Sequence, residues 1–205
     1  MKVLYAIQGT GNGHLSRAEE IVPILNKYVD TTVLVSGNQS QIQSNFEINY
    51  KKTGLTFLSG KTGKIDLLRT VLKSHPIDFI NEIRQFPISN FDLVITDFEP
   101  VSAWSALMHG VPCIEMSHQA AVINSKAPKS KIENRIGKYI LNHYCPTKEK
   151  IGFHFESYDN TIFTPVIRSS IRESEPKNMG HYTVYLPAYH DDILLQFLKQ
   201  FLILT

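Results

Sequence analysis

A short apolar run that ends in a glycine-rich turn limits what the start of this chain can fold into. Residues 3–7 are all apolar, and a run of that length is typical of a strand buried on both faces of a parallel sheet. Apolar residues at spacings of three and four over 15–25 predict a helix, and residues 31–35 predict a second strand. This strand–helix–strand unit, with a right-handed crossover, predicts an α/β fold.

The same alternation continues along the chain. Further strands are predicted at 92–96 and 111–116, with one or two short strands within 47–58 and short extended pieces after residue 142 and up to Pro165. Helices are predicted within 65–86 (broken in two near Pro76), from Pro100 to Gly110, and over 130–142. We therefore expect a Rossmann-like parallel sheet with helices on both faces.

The segment 168–205 suggests a second domain. Residues 168–180 are polar and are interpreted as a linker after a domain at 1–167. Within 181–205, residues 182–187 predict a strand, and a helical pattern runs on to Phe201. Because one strand and one helix cannot form a core, we interpret 181–205 as the start of a truncated second domain. This segment is also a candidate for pairing with another copy of the chain.

Composition excludes several classes of function. The net charge of +2 and the lack of a basic run argue against a nucleic-acid partner. Cys113 and Cys145 both lie in apolar stretches and are interpreted as buried thiols of a reducing compartment. No signal peptide or apolar stretch of membrane-spanning length is visible, so we expect a cytoplasmic protein. Histidine spacing and the lack of an Asp-x-Asp motif predict neither a metal nor a cofactor.

The loop Gly9-Thr10-Gly11-Asn12-Gly13-His14 joins the first strand to the first helix, where α/β sheets bind ligands. A dinucleotide fingerprint would place glycine where His14 stands and an acidic residue after the second strand, where this chain has Ser36-Gly37-Asn38. A loop that binds a nucleotide triphosphate would need Gly-Lys-Ser/Thr, and this chain has Gly13-His14-Leu15 there. What remains is a loop that holds another ligand, such as an anion at the helix N-terminus, or a tight turn without one.

The segment from Gly9 to Arg17 resembles the N-terminal signature of GT-B-fold glycosyltransferases. It is similar to the Gly-x-Gly-Gly-His loop of the lipid II N-acetylglucosaminyltransferase and to the corresponding loop of galactolipid synthases. A family of bacterial and archaeal glycosyltransferase-like proteins also shares the segments Ile95–Pro100 and Gly110–Gln119. The resemblance spans about residues 1–165 and 181–203 of the chain.

This resemblance implies an acceptor-side half that supplies the base for an inverting, metal-independent transfer. A sugar or lipid-linked acceptor would bind here, with peripheral membrane contact left open. A nucleotide-sugar donor would be held mainly by the C-terminal domain, so we expect the chain alone to be inactive. Two alternatives remain open: a sugar-nucleotide epimerase of the same fold, and a binding module without catalysis.

His14 and Asp97 are the candidate catalytic residues. A neutral imidazole at a helix start suits a general base, since the helix N-terminus disfavours its charged form; the alternative is a capping or packing histidine. Asp97 follows a buried strand and could orient the ring, or it could cap the helix that begins near Pro100. Glu99 is a second candidate for orienting the ring.

The candidate substrate-binding residues lie in the glycine loop or just past neighbouring strands. Arg17 could face a phosphate or could be an exposed helix arginine. The polar residues after the strand predicted at 111–116 could bind the acceptor or form an ordinary loop. Ser36, Gly37 and Asn38 occupy the matching place after the strand predicted at 31–35. The full set of substrate-binding candidates is Gly9, Thr10, Gly11, Asn12, Gly13, Arg17, Glu99, Ser117, His118 and Gln119.

Overall fold

The fold is taken from a computed structural model of the chain. The residues that it describes are 1–10, 12–37, 44–55, 76–129, 135–186 and 189–202. Gly11, Asn38 and the first part of the helical pattern predicted over 65–86 lie outside these residues.

One parallel sheet dominates the structure, with seven strands in the described part of the chain. The strands are β1 Lys2–Gln8, β2 Asp30–Ser36, β3 Tyr50–Lys52, β4 Leu93–Asp97, β5 Cys113–Ser117, β6 Glu149–Phe153 and β7 Ile162–Phe163. Their order across the sheet is β3-β2-β1-β4-β5-β6-β7. The four strands predicted at 3–7, 31–35, 92–96 and 111–116 are confirmed, as is the Rossmann-like parallel arrangement.

Helices connect the strands. They are α1 Asn12–Leu25, α2 Pro76–Gln85, α3 Pro100–His109, α4 His118–Ile123, α5 Arg135–His143, α6 Ser169–Arg172 and α7 Asp191–Leu202, with a 3-10 turn at Ile88–Asn90. Pro76 and Pro100 each begin a helix, where the missing backbone N–H is no loss. Gly110 ends α3 with φ 71°, a left-handed conformation that glycine adopts without strain.

The core lies on both faces of the sheet. On one face, Leu4 and Ala6 of β1 pack with Ala106 of α3; on the other, Tyr5 and Ile7 pack with residues of α1. This alternation follows from the period of two in a strand. It places helices on both faces, as predicted.

The C-terminal part differs from the sequence-based expectation. Residues 182–186 were predicted to form a strand, but they are not a strand in the structure, whereas α7 forms. A strand needs a neighbour for its backbone hydrogen bonds, and none of the described residues provides one here. Contacts divide the described residues into two compact units, one within Met1–Leu55 and Pro76–Glu173 and the other from Ser174 onward. The predicted domain and linker bounds stay a prediction.

The predicted linker 168–180 contains α6. Ser169, the first residue of α6, is hydrogen-bonded to α1. Its backbone N–H donates to Glu20 Oε1 at 2.9 Å, and its hydroxyl donates to Glu20 Oε2 at 2.8 Å. Among the described helices, none combines the length and apolarity that crossing a bilayer requires.

Candidate active site at the carboxyl edge of the sheet

The strand order reverses between β1 and β4, and this point defines a crevice at the carboxyl edge of the sheet. The two strands are hydrogen-bonded neighbours, with Ile7 opposite Asp97. Open α/β sheets bind ligands outside the strand ends at such a reversal. The glycine loop follows β1, and Asp97 ends β4, so both predicted catalytic segments meet at this point.

Strand and helix periodicity together bring three side chains into one place. Ile95 packs against the apolar cluster beneath α1, and Asp97, two residues later, lies on the same face of the sheet. His14 and Arg17 are three residues apart on α1 and are therefore neighbours on its surface. They flank the buried side of the helix that includes Leu15.

Asp97 forms hydrogen bonds with both of the other side chains. His14 Nδ1 lies 2.9 Å from Asp97 Oδ1, while Arg17 donates from Nε to Asp97 Oδ2 at 2.9 Å and from Nη2 to Oδ1 at 3.0 Å. The Asp97 side chain is fully buried, and the His14 and Arg17 side chains are each 13% exposed. Of the three side chains, only His14 and Arg17 reach the surface. Arg17 is paired with Asp97, so the exposed-arginine interpretation was wrong.

The ionisation of Asp97 decides which nitrogen of His14 carries the proton. Burial raises the pKa of Asp97, but His14 and Arg17 outweigh it, so the pKa lies below the ordinary value of 3.8. An ionised carboxylate only accepts hydrogen bonds. A neutral His14 must therefore donate from Nδ1, and in that form of the ring the lone pair is on Nε2.

The other ionisable groups around the cluster keep their usual charge. Burial alone would lower the pKa of Arg17, but the Asp97 carboxylate more than offsets it, and the net pKa is raised. Burial, and then the negative charge of Asp97, holds the pKa of Tyr5 well above its ordinary value, so this phenol is neutral. The cluster thus contains one carboxylate, one guanidinium and one imidazole.

The lowered pKa of Asp97 has a consequence for stability at acid pH. A carboxyl group whose pKa is lower in the folded state stabilises the fold above its unfolded pKa and loses that contribution as pH falls through its folded pKa. We expect the wild-type advantage in free energy of unfolding over Asp97→Asn to shrink as pH drops below the ordinary value of 3.8. Urea unfolding at a series of pH values measures it, and a pH-independent difference would contradict the charged state assigned to Asp97.

Two glycines of the loop have opposite surroundings. Gly9 donates its N–H to Ser36 O at 2.6 Å, and a Cβ built on Gly9 would lie 2.8 Å from the backbone oxygens of Ser36 and Gly37. A Cβ on Gly13 would meet nothing within 4 Å. Gly9 is therefore required by packing, whereas Gly13 faces open space.

Alanine substitutions at Gly9 and Gly13 should have different effects on the stability of the fold. Gly9→Ala should destabilise the fold by about 1–3 kcal/mol, the usual cost of overpacking, because backbone atoms cannot move aside cheaply. Gly13→Ala should leave stability unchanged or slightly higher, since alanine favours a helix. Thermal unfolding of both variants tests this, and equal losses for the two would refute the distinction between them.

Gln8 is a buried polar residue beneath the loop that sequence reasoning missed. Its Nε2 donates to Thr10 Oγ1 at 3.0 Å and to Leu55 O at 3.1 Å, and its Oε1 accepts from Ser36 Oγ at 3.3 Å. The side chain thus ties the ends of β1 and β2 to the loop. A glutamine that ends an otherwise apolar buried strand was the available signal.

Glu99 caps α3 and does not touch His14. Its two carboxylate oxygens accept from the backbone N–H groups of Val101 at 2.8 Å and Ser102 at 2.7 Å. Burial raises its pKa. The capping role considered for Asp97 therefore belongs to Glu99, and the ring-orienting role considered for Glu99 was wrong. Phe98, between them, has φ 57°, and this left-handed turn separates the two acidic side chains.

The three candidates after β5 have different surroundings. Ser117 is buried and caps α4, since its Oγ accepts from Ala120 N at 3.0 Å and donates to Glu115 Oε1 at 2.6 Å. His118 Nδ1 donates to the backbone oxygen of Phe153 at 2.9 Å. Gln119 Oε1 is buried and has no hydrogen-bond partner among the described residues. Ser117 therefore links β5 to the start of α4, and its role in substrate binding, like that of Gln119, stays a prediction.

A cavity of about 500 Å³ lies at the opposite edge of the sheet. Its lining includes the first residues of β4, β5 and β6 and is mostly apolar. The paired imidazole and carboxylate are at the carboxyl edge, so chemistry places the candidate active site there. No group of three or more metal-ligating side chains occurs in the part of the chain that the structure describes.

The fold and the site define a Rossmann-like α/β protein with a histidine–carboxylate pair at the strand-order reversal. The family model described as Glycosyl transferase family 1 matches residues 1–204, and the chain belongs to this family. This match confirms the predicted resemblance to glycosyltransferases.

Two solved structures are similar over part of their length. One is MurG of Acinetobacter baumannii, at 12% identity and a TM-score of 0.43, covering 80% of this chain and 43% of that one. The other is SsfS6, a glycosyltransferase of Streptomyces sp. SF2575, at 18% identity and a TM-score of 0.31, covering 61% and 40%. The chain thus spans less than half the length of either. No curated protein sequence matches it.

Proposed function

We propose that this chain is the acceptor-binding half of an inverting glycosyltransferase that uses a nucleotide-sugar donor. His14 is the general base that deprotonates the acceptor hydroxyl, and Asp97 orients its ring. Family membership supports the class of reaction. The assignment of these roles rests on the contact between His14 and Asp97 at the strand-order reversal.

The hydrogen bond from His14 Nδ1 to Asp97 Oδ1 supports the proposed base. It holds the ring on a rigid helix and leaves the Nε2 lone pair as the proton acceptor. Histidine suits this task because its neutral form is well populated near neutral pH. The same division of roles operates in catalytic triads, where a buried carboxylate fixes the tautomer of the base.

The proposed reaction is a single displacement. His14 Nε2 takes the proton of the acceptor hydroxyl while the oxygen forms a bond to the anomeric carbon of the donor sugar. The bond from that carbon to the nucleotide phosphate breaks, and the nucleotide leaves with the electron pair. Because attack comes from the face opposite the leaving group, the anomeric configuration inverts.

The division of binding follows from the same proposal. The acceptor lies over the backbone at Gly13, where a Cβ would meet nothing within 4 Å, while the donor nucleotide is held mainly by the second domain. A cytoplasmic location, a sugar or lipid-linked acceptor and pairing through residues 181–205 belong to this proposal.

The test is a transfer assay on the complete enzyme, meaning a polypeptide with both halves. Nucleotide sugars are incubated with hydroxyl acceptors, and the anomeric configuration of the product is measured by NMR. An inverted glycoside supports the proposal. A retained configuration, an epimerised donor formed without acceptor, or binding without any turnover each contradicts it, the last two in favour of the epimerase and the binding module.

A further inference from the structure

Arg17 occupies both oxygens of the Asp97 carboxylate. Its Nε and Nη2 donate to Oδ2 and Oδ1 at 2.9 and 3.0 Å, the two-pronged geometry that guanidinium and carboxylate share. The guanidinium also lies over the ring of Phe153, with Cζ 5.1 Å from its centroid. The Arg17 guanidinium group is therefore fixed by its contact with the Phe153 ring and by its two hydrogen bonds to Asp97.

The position of the His14 proton depends on whether Asp97 is charged. An ionised Oδ1 can only accept, so the proton stays on His14 Nδ1. A protonated Oδ1 would donate to Nδ1 instead, and the proton of the neutral ring would then sit on Nε2. In that tautomer Nε2 could not act as a base.

The positive charge of Arg17 decides whether Asp97 is ionised or protonated. Asp97 is fully buried, and burial without a counter-charge favours its neutral form. Without Arg17, the carboxyl group would either bind a proton or draw one onto His14 to form an ion pair. Both outcomes remove the neutral ring with a bare Nε2. The Arg17 charge balances Asp97, so His14 need not carry a charge of its own.

We propose that Arg17 is a positioning residue that keeps Asp97 ionised and thereby keeps the His14 proton on Nδ1 and the Nε2 lone pair free. The sequence interpretation of Arg17 as a phosphate ligand is replaced by this role. Its meaning for catalysis rests on the proposed function, whereas the position of the proton can be measured without any transfer activity.

The experiment is a long-range ¹H–¹⁵N correlation spectrum of the histidine rings at neutral pH. Bare and protonated ring nitrogens have well-separated ¹⁵N shifts, and a His14→Gln variant identifies the His14 signals among the eight histidines. In wild type we expect a bare Nε2 and a protonated Nδ1. In Arg17→Met we expect the bare Nε2 signal to be lost. Arg84→Met, which removes an exposed arginine of α2, is the matched control and should retain it.

Arg17→Lys keeps a positive charge but cannot form the two parallel hydrogen bonds to Asp97. We expect it to retain the bare Nε2 signal, so it tests the proposal even if Arg17→Met does not fold. A folded Arg17→Met that keeps the bare Nε2 signal, or a folded Arg17→Lys that loses it, overturns the proposal. If the signals behave as expected but the complete enzyme shows no transfer, the proposed function fails and the positioning role stands.

Discussion

His14→Ala in the complete enzyme is expected to lower kcat by about 10²–10⁴-fold, the usual contribution of a positioned general base. A sugar hydroxyl is a weak nucleophile, and among the described residues the remaining side chain bonded to Asp97 is the charged Arg17, which cannot act as a base. The donor KM should stay nearly unchanged, because the proposed function assigns nucleotide binding mainly to the other domain. Such a loss in kcat alone marks an interaction made in the transition state.

The substitution should leave the fold intact. Asp97 Oδ1 still accepts from Arg17 Nη2 after the imidazole is removed, so no buried acceptor is left without a partner. His109→Ala is the matched control, since His109 ends α3 and hydrogen-bonds to the backbone oxygen of Ser105. Unimpaired turnover of His14→Ala would remove His14 from catalysis and favour its packing or capping role.

Asp97→Asn is expected to lower the free energy of unfolding by about 3 kcal/mol at neutral pH, as in other broken buried ion pairs. The amide has nearly the same shape, but it leaves the mostly buried Arg17 cation without its anion. Urea unfolding measures the change. An Asp97→Asn midpoint equal to that of wild type would mean that the ion pair contributes little.

A double-mutant cycle with Arg17→Met isolates the interaction. Asp97→Asn with Arg17→Met removes both charges, so the combined loss should be smaller than the sum of the single losses. We expect a coupling of about 1–3 kcal/mol, the range for residues in one hydrogen-bond network. Additive losses would show that the two side chains act independently.

The sheet and its reactive edge could be predicted because their signals are local. Apolar runs such as 3–7 and 92–96 predict buried strands, and parallel strand ends share one edge. That rule alone places His14 near Asp97, and the structure has them in contact. Their catalytic roles stay a proposal.

The partner of each charged side chain could not be predicted, because it depends on contacts distant in sequence. Arg17 and Asp97 are eighty residues apart, and nothing in the helix pattern shows that the guanidinium is half of a buried pair. Asp97 and Glu99 both suit a cap, and the choice between them is made by the left-handed Phe98, a conformation that an aromatic residue does not signal.

The strand expected at 182–187 shows the same limit. Its aromatic and β-branched residues favour a strand, but pairing is a property of two segments. In the described residues 182–186 the segment is not a strand, and Tyr182 is fully exposed. The helix pattern that follows needs no such partner, and α7 forms as expected.

The most direct test of the proposed role of His14 is a structure of the complete enzyme with nucleotide and acceptor bound. We expect the reacting hydroxyl within hydrogen-bond reach of His14 Nε2, about 2.6–3.2 Å, with Nδ1 still bonded to Asp97. An acceptor hydroxyl bound to another group, with His14 Nε2 pointing away from it, would contradict the assignment of His14 as the base.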